Sequence, residues 1–292
     1  MNCSKTVFLT GGTGLIGKEL LAPLVAEGFA VYALSIEKDN PSVPNVTWIK
    51  GNLFDETFIK QIMVQIKPTH LLNMAWCAHG DYAFSNANFA FLRASLALLE
   101  AFALNGGKRA VCAGTFMEYE EKNAPIKEDD PVAPKTAYAL CKNALRETAA
   151  SFCSINNISF AWGRIFCVCG KNEHPKRLTA SIINSLKAGE PVQINCAQLE
   201  RDYMYSKDIA AAFTRLLDSD VQGTVNICTG KSIHLGDYAR AVAKLLGRED
   251  LLVLKEENTS QPPLVVGDNR RLREEVGFTP RYTLQDALKE II

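Results

Sequence analysis

Thr6–Gly17 reads TVFLTGGTGLIG, and the parsing of that stretch decides the fold. TVFLT (Thr6–Thr10) is a β-branched and aromatic run with the length of a buried strand. GGTGLIG (Gly11–Gly17) follows at once. KELLAPLVAEG (Lys18–Gly28) then spaces apolar residues as a helix does and stops on a glycine. FAVYAL (Phe29–Leu34) is the next strand, so the segment is a βαβ unit with a glycine cluster at its first turn. The spacing has a mechanical cause. Phosphate oxygens reach backbone N–H groups at a helix N-terminus only where no Cβ stands in the way. Gly11 and Gly12 permit the tight turn, Gly14 the approach of a pyrophosphate, and Gly17 the close packing of helix on strand. Set between a strand and a helix, the pattern signals dinucleotide binding. The whole turn, Gly11, Gly12, Thr13, Gly14, Leu15, Ile16 and Gly17, is expected to wrap the cofactor.

Downstream, strands are expected at Val46–Lys50, His70–Ala75, Arg109–Gly114 and Ser159–Cys167, with helices at Glu56–Ile66, Phe89–Leu104 and Tyr138–Asn156. Such alternation implies an α/β fold, a doubly wound parallel Rossmann sheet with ligands at the carboxyl edge of its strands. After Cys169 the pattern changes. A polar loop (Gly170–Arg177), a helix (Leu178–Ala188), a short strand (Pro191–Ile194) and a compact turn (Glu200–Tyr205) lead to a helix at Ser206–Leu217. A strand at Thr224–Ile227 and a helix at Leu235–Leu246 follow. The division expected is a dinucleotide-binding domain from 1–169 plus roughly 200–230. A smaller C-terminal substrate-binding lobe, roughly 170–199 plus 231–292, closes a cleft against it.

Composition narrows the function classes. Of 292 residues, 47% are hydrophobic and 22% charged, ordinary for a globular chain. Lys+Arg and Asp+Glu are both 32, so no basic field points to nucleic acid or anionic lipid. No membrane span or signal peptide is expected. Nine scattered cysteines without a C-x-x-C pair suit reduced thiols in a cytoplasmic protein better than a disulfide framework. Four scattered histidines suggest no metal site.

An acid at the end of the second strand usually bonds the ribose diol of NAD. Here Ser35 stands in that place, followed by Ile36, Glu37 and Lys38. Ser35 can donate to a 2′-phosphate and Lys38 can neutralise it, so NADP(H) is favoured. Glu37 rotated inward would restore the acid, which keeps NAD possible. Further on, Tyr138 and Lys142 lie four apart at a helix start, hence on one face. An ammonium beside a phenol favours the phenolate and lowers a pKa ordinarily near 10. Thr115 ends the fifth strand, where its hydroxyl can bond a substrate oxygen while Tyr138 moves the proton.

At this point the sequence resembles the extended short-chain dehydrogenase/reductase family of nucleotide-sugar epimerases, dehydratases and 4-ketoreductases. The resemblance rests on GGTGLIG, AGTFMEY (Ala113–Tyr119), YALCK (Tyr138–Lys142), RDYMYSKDIA (Arg201–Ala210) and GDNRRLREEVGFTP (Gly267–Pro280). It implies a catalytic triad of Thr115, Tyr138 and Lys142. It also implies further cofactor contacts from Asn52, Leu53, Met74, Ala75 and Phe166, and a nucleoside-diphosphate sugar substrate. Arg201 falls where the family often holds the diphosphate; a salt bridge with Asp202 or Asp208 is the other reading. Trp76 and His79 either line the sugar pocket or merely pack and solvate the loop, while Phe116, His174 and Arg177 are further substrate-contact candidates. In 4,6-dehydratases an Asp and a Glu follow the catalytic Thr. Phe116 and Met117 stand there instead, and Glu118, one place on, should point differently, which disfavours water elimination. The pattern looks most like the 4-keto-6-deoxyhexose reductases of surface-polysaccharide pathways. A 4-epimerase with tightly bound NAD is the alternative, and a non-catalytic dinucleotide-binding regulator would show a degenerate triad.

The helix Phe89–Leu104 is apolar nearly all round, with Arg93 and Glu100 its only charges. A helix on one face of a sheet needs only one apolar stripe. A homodimer through this helix and Tyr138–Asn156 is therefore expected, with Leu145 in the interface, unless the 120–135 loop folds over the stripe.

Overall fold

The computed structural model describes residues 5–77 and 80–292. In chain order, β1 (Thr6–Thr10), α1 (Gly17–Ala26), β2 (Ala30–Ser35), β3 (Val46–Lys50), α2 (Glu56–Ile66), β4 (His70–Asn73), α3 (Ala87–Leu104), β5 (Arg109–Thr115), α4 (Ala137–Ile155) and β6 (Ser159–Ile165) alternate as the periodicity predicts. With β11 (described below) they build, among the described residues, one seven-stranded sheet in the order β11-β6-β5-β4-β1-β2-β3. Every pairing in it is parallel. The strand order reverses between β1 and β4, where Thr10 stands opposite Asn73. In doubly wound sheets a ligand crevice opens at this reversal, outside the carboxyl ends.

Both faces of the sheet are covered. On one, α1 buries Leu20, Leu21 and Leu24 against Val7, Leu9 and Val31. Each such leucine contributes on the order of 2 kcal/mol by leaving water. On the other face α2, α3 and α4 enclose Phe8, Leu71, Leu98, Phe102, Leu145 and Trp162. Leu145 is thus a core residue of its own chain, and the expectation that it lies at a subunit interface is corrected. Its position on α4 faces the sheet, whereas Phe89, Leu140 and Ile155 carry the exposed apolar surface. The 120–135 loop turns the other way: Tyr119 bridges Val132, and Ile126 bridges Gly267.

The chain continues with β7 (Cys167–Cys169), α5 (Leu178–Ala188), β8 (Val192–Ile194), β9 (Glu200–Arg201), β10 (Tyr203–Tyr205), α6 (Ser206–Leu217), β11 (Gly223–Ile227), β12 (Ile233–His234), α7 (Leu235–Leu246), β13 (Leu252–Leu254), β14 (Leu264–Val265), α8 (Arg270–Glu274) and α9 (Leu284–Ile291). α6 joins α1 on its face of the large sheet. Three small sheets pair β7 with β10, β8 with β13, and β9 with both β12 and β14. The expected compact turn at Glu200–Tyr205 is instead two strands. Its backbone bonds run to distant segments, Glu200 N–H to the Pro263 carbonyl and Asp202 N–H to that of Val265, so no local pattern announces them. A separate core of Ile182, Leu186, Tyr238, Val242 and Leu288 holds α5, α7 and α9 together. Leu272, Val276 and Phe278 pack with the first core.

α3 also corrects the expectation that no segment has the length and apolarity of a membrane span. Its 18 residues pass that test, but Ala94, Leu98, Leu99 and Phe102 are packed into the core. A helix covering a sheet passes the same test.

Candidate active site

A cleft of about 370 Å³ opens at the strand reversal. Gly11, Gly14, Leu15, Ile16 and Gly17 form one wall, and Met74 and Trp76, just past β4, form the next. Gly11 has φ +72°, and a Cβ on Gly17 would stand 1.9 Å from the Gly11 carbonyl oxygen. Gly14 N–H donates to that carbonyl at 3.0 Å, closing the turn. Gly12 lies under it, buried, and Thr13 flanks it half-buried. Below the turn, Thr10 Oγ1 donates to Asn73 Oδ1 at 2.6 Å and accepts from Ala75 N–H at 3.2 Å, which ties β1 to the start of the adjacent loop. A cradle that side chains would fill, at a helix N-terminus, fits a dinucleotide's pyrophosphate.

The adenosine end of such a ligand would run along the tips of β2 and β3. Ser35 is buried there, its Oγ accepting from Glu37 N–H at 3.0 Å, so its proton is left to donate. Lys38 and Glu37 are exposed beyond it. Asn52 is exposed at the adjacent edge, its Oδ1 accepting from Phe54 N–H, and Leu53 is buried beside it.

The far side of the cleft holds Thr115, Phe116, Tyr138, Lys142 and Phe166. Thr115 ends β5, and its Oγ1 accepts from Met117 N–H at 3.3 Å. Tyr138 sits in the first turn of α4, which Thr136 caps by accepting from Ala139 N–H at 3.1 Å. The Thr115 hydroxyl lies close to the Tyr138 phenol and favours its ionised form. Burial, chiefly, and the nearby Tyr82 push that phenol well above its ordinary range. Tyr82 meets it edge-on, ring centroids 5.0 Å apart. Lys142 is equally buried, and desolvation pulls its ammonium down to about 7 against the opposing charge of Glu118. Its Nζ donates to the Ala113 carbonyl at 2.7 Å and stands 4.0 Å from the centroid of the Trp76 ring. The expected depression of Tyr138 by Lys142 is therefore corrected. The ammonium is occupied by a carbonyl and an indole face, and desolvation dominates the phenol.

Trp76 is held rather than loose: its Nε1 donates to Asn88 Oδ1 at 2.8 Å, and its ring stacks on Phe91 at 5.4 Å. Phe166, buried, stacks on Phe116 at 5.6 Å. Arg177 reaches the cleft and pairs with Glu173 at 3.6 Å. His174 does not line it; the ring is exposed and accepts from Lys176 N–H, because the loop turns outward there. His79 lies outside the described residues. Glu173, Tyr82, Thr179 and Tyr203 line the cleft without having been expected. Glu173 is a buried carboxylate whose pKa is raised by desolvation and whose Oε1 accepts from Gly170 N–H. Its signal, a lone acid in a polar loop, is indistinguishable from a surface residue in sequence.

Phe116 and Met117 also border a second cavity of about 710 Å³, with Arg201, Gln261, Pro262 and Leu264 on its other side. Arg201 makes neither expected salt bridge. Asp202 accepts from Thr229 and Gly230, and Asp208 from the N–H groups of Arg281 and Tyr282. The guanidinium instead donates to the carbonyls of Glu200 and Pro262 and to Gln261 Oε1, at 2.8, 3.0 and 3.1 Å. Among the described residues no carboxylate lies within 4 Å to neutralise it.

Residues 7–228 match the model of the NAD dependent epimerase/dehydratase family. The dTDP-6-deoxy-L-talose 4-dehydrogenase (NAD(+)) of Aggregatibacter actinomycetemcomitans is 24% identical over 265 residues, 86% of this chain and 93% of that protein. The dTDP-4-dehydro-6-deoxyglucose reductase of Escherichia coli is 22% identical over 307 residues, 98% and 96% of the two chains. Among solved structures, the UDP-glucose 4-epimerase of Thermotoga maritima superposes with a TM-score of 0.88 at 20% identity, covering 98% of this chain and 97% of that one. With the glycine cradle and the Thr115–Tyr138–Lys142 cleft in place, the chain belongs to the NAD dependent epimerase/dehydratase family and is an NAD(P)-dependent enzyme.

Proposed function

We propose that the protein is an NADP(H)-dependent reductase of a nucleoside-diphosphate 4-keto-6-deoxysugar. One observation carries this reading. Thr115 and Tyr138 line the cleft with hydroxyls that can move a proton, while the neighbouring Phe116 and Met117 carry none. Glu118 has no exposed surface and turns into the core. Such a cleft interconverts a ketone and an alcohol, and the positions that follow Thr115 carry no acid–base pair for eliminating water.

When bound, the nicotinamide supplies hydride to the sugar C4. Gly11–Gly17 would hold the pyrophosphate of the cofactor, and Ser35 with Lys38 its 2′-phosphate. Thr115 orients the substrate carbonyl oxygen. Tyr138 gives its proton to the oxygen as the alcohol forms; a phenol kept protonated by burial is the form that a reduction uses. Lys142, on the same cleft wall, would hold the nicotinamide ribose. Arg201, a cation with no carboxylate partner, suits the substrate diphosphate in the second cavity. The lobe carrying α5, α7 and α9 closes on the sugar nucleotide. The buried free thiols of Cys112, Cys141, Cys153, Cys169 and Cys228 fit residence in the cytoplasm.

A 4-epimerase with retained NAD is the second reading. Exposed Glu37, its N–H tied to Ser35, would supply the missing acid to an unphosphorylated ribose if its side chain rotated inward. Denaturing the purified protein and identifying the released dinucleotide separates the two. Loss of NADPH absorbance on adding 4-keto sugar nucleotides establishes the reductase; copurified NAD and no net change in cofactor reject it. We also propose a homodimer through the exposed apolar side of α3 and α4. Light scattering at a mass near twice 32.1 kDa supports it, and a stable monomer overturns it.

A further inference from the structure

Glu118 is a charge in an expensive place. It is 0% exposed, one residue past the cleft-lining Phe116 and Met117, on the core side of β5. Four groups converge on its carboxylate. Oε1 accepts from Thr115 N–H at 2.8 Å and from Trp162 Nε1 at 3.0 Å. Oε2 accepts from Arg164 Nε at 2.7 Å and Trp162 Nε1 at 3.1 Å, with Arg146 Nε 3.9 Å away. Arg164 in turn lies 4.0 Å over the ring of Tyr119, whose hydroxyl donates to Asn226. The network is seated against Gly114. A Cβ there would come within 2.0 Å of Trp162 Nε1 and 2.8 Å of Glu118 Oε1. Apolar residues of the same size would stabilise this spot at least as well as a buried ion pair. What they would not do is hold the Thr115 main chain.

We propose that Glu118 is a positioning residue for proton transfer: its carboxylate fixes the backbone of Thr115, and so the hydroxyl that Thr115 presents to Tyr138. This rests on the reading of Thr115 and Tyr138 as the proton-moving pair. The carboxylate also acts through space. Lys142 feels Glu118 and Cys112, and Tyr138 feels Tyr82, Thr115, Glu118 and Arg177. The negative charge supports the Lys142 ammonium and opposes a Tyr138 phenolate.

Two double variants separate placement from packing. Both carry Arg164→Met, so that no buried cation is stranded. Glu118→Gln/Arg164→Met keeps an acceptor for Thr115 N–H; Glu118→Leu/Arg164→Met removes it. The expected result is a kcat for the leucine pair at least tenfold below that of the glutamine pair, with dinucleotide Kd agreeing within twofold. Equal kcat values in the two folded variants overturn the proposal, since a purely structural role affects them alike. Absence of turnover in the unmodified enzyme overturns the underlying reading instead. The second measurement then decides for Glu118. Tryptophan fluorescence follows the Lys142 charge beside Trp76, with a midpoint near 7 that disappears in Lys142→Met. Both double variants should move that midpoint to lower pH, because the supporting charge is gone. An unmoved midpoint overturns the through-space role of the Glu118 carboxylate.

Discussion

The glycine turn and the Arg201 segment, which border two different cavities, are built by different means. At the glycine end the backbone does the holding, and what matters is the side chains that are missing. Gly11 and Gly17 meet so closely that a methyl group would collide with a carbonyl at 1.9 Å. At the Arg201 end, side chains do the holding. Arg201 pins the 260–262 segment with two hydrogen bonds, to Pro262 and Gln261, and makes a third to its neighbour Glu200; β9 is sandwiched between β12 and β14, some thirty and sixty residues further along the chain. A backbone site is written within a dozen consecutive residues. A site assembled from side chains on distant segments is not.

Four substitutions probe this contrast, from the largest expected effect to the smallest. Between the two ends, Tyr138→Phe should lower turnover by about 10²- to 10⁴-fold, the usual worth of a positioned proton donor. Dinucleotide affinity should stay within about twofold by titration calorimetry, because the proton enters the reaction and not the binding. At the glycine end, Gly17→Val should cost roughly a hundredfold or more in dinucleotide affinity, the equivalent of about 3 kcal/mol. Retained affinity would show that the turn yields, and the contrast would fail. At the other end, Arg201→Met should raise the KM for the sugar nucleotide roughly tenfold, about 1.4 kcal/mol. Its dinucleotide affinity should not change; a loss there would mean that the two ends are coupled.

The smallest effect is in stability and lies at the junction. The folded-state pKa of Lys142, about 7, is below its usual 10.5. Between those values the unfolded chain binds more protons than the native one, so stability should rise with pH across that window. Below pH 7 the native state carries the full cost of the buried ammonium. Lys142→Met should flatten the slope and raise the melting temperature by a few degrees near neutral pH. Denaturation curves at pH 6.5 and 9.5 compare the two proteins. A wild-type slope equal to that of Lys142→Met would place the lysine in a wetter site than described.

The same contrast explains what was legible. β1, β3, α2, α5, α6 and α7 follow from periodicity and their stop signals, because helix and strand periods are local properties. The Thr115–Tyr138–Lys142 grouping was legible because its members stand at strand and helix ends whose relation the doubly wound topology dictates. The direction of Lys142 was not, since it depends on the Trp76 ring 66 residues earlier. Leu145 read as interface because an apolar helix does not state which of its faces meets the sheet. Glu173 and Tyr82 were missed because burial turns ordinary loop residues into cleft walls, and burial is decided by the whole chain. His174 failed for the converse reason: its neighbours Glu173 and Arg177 turn in while it turns out.

α3 has a consequence for biogenesis. It emerges from the ribosome before β5 and β6, the strands that extend the sheet beneath it. Until they arrive, the nascent chain displays an eighteen-residue helix with the length and mean apolarity of a membrane span. A chain ending near residue 108 would keep that display permanently and should partition to membranes or aggregate. An export signal placed ahead of the full chain should yield a protein arrested at α3 rather than secreted. Rapid docking of the helix onto the sheet is what keeps the segment from that fate.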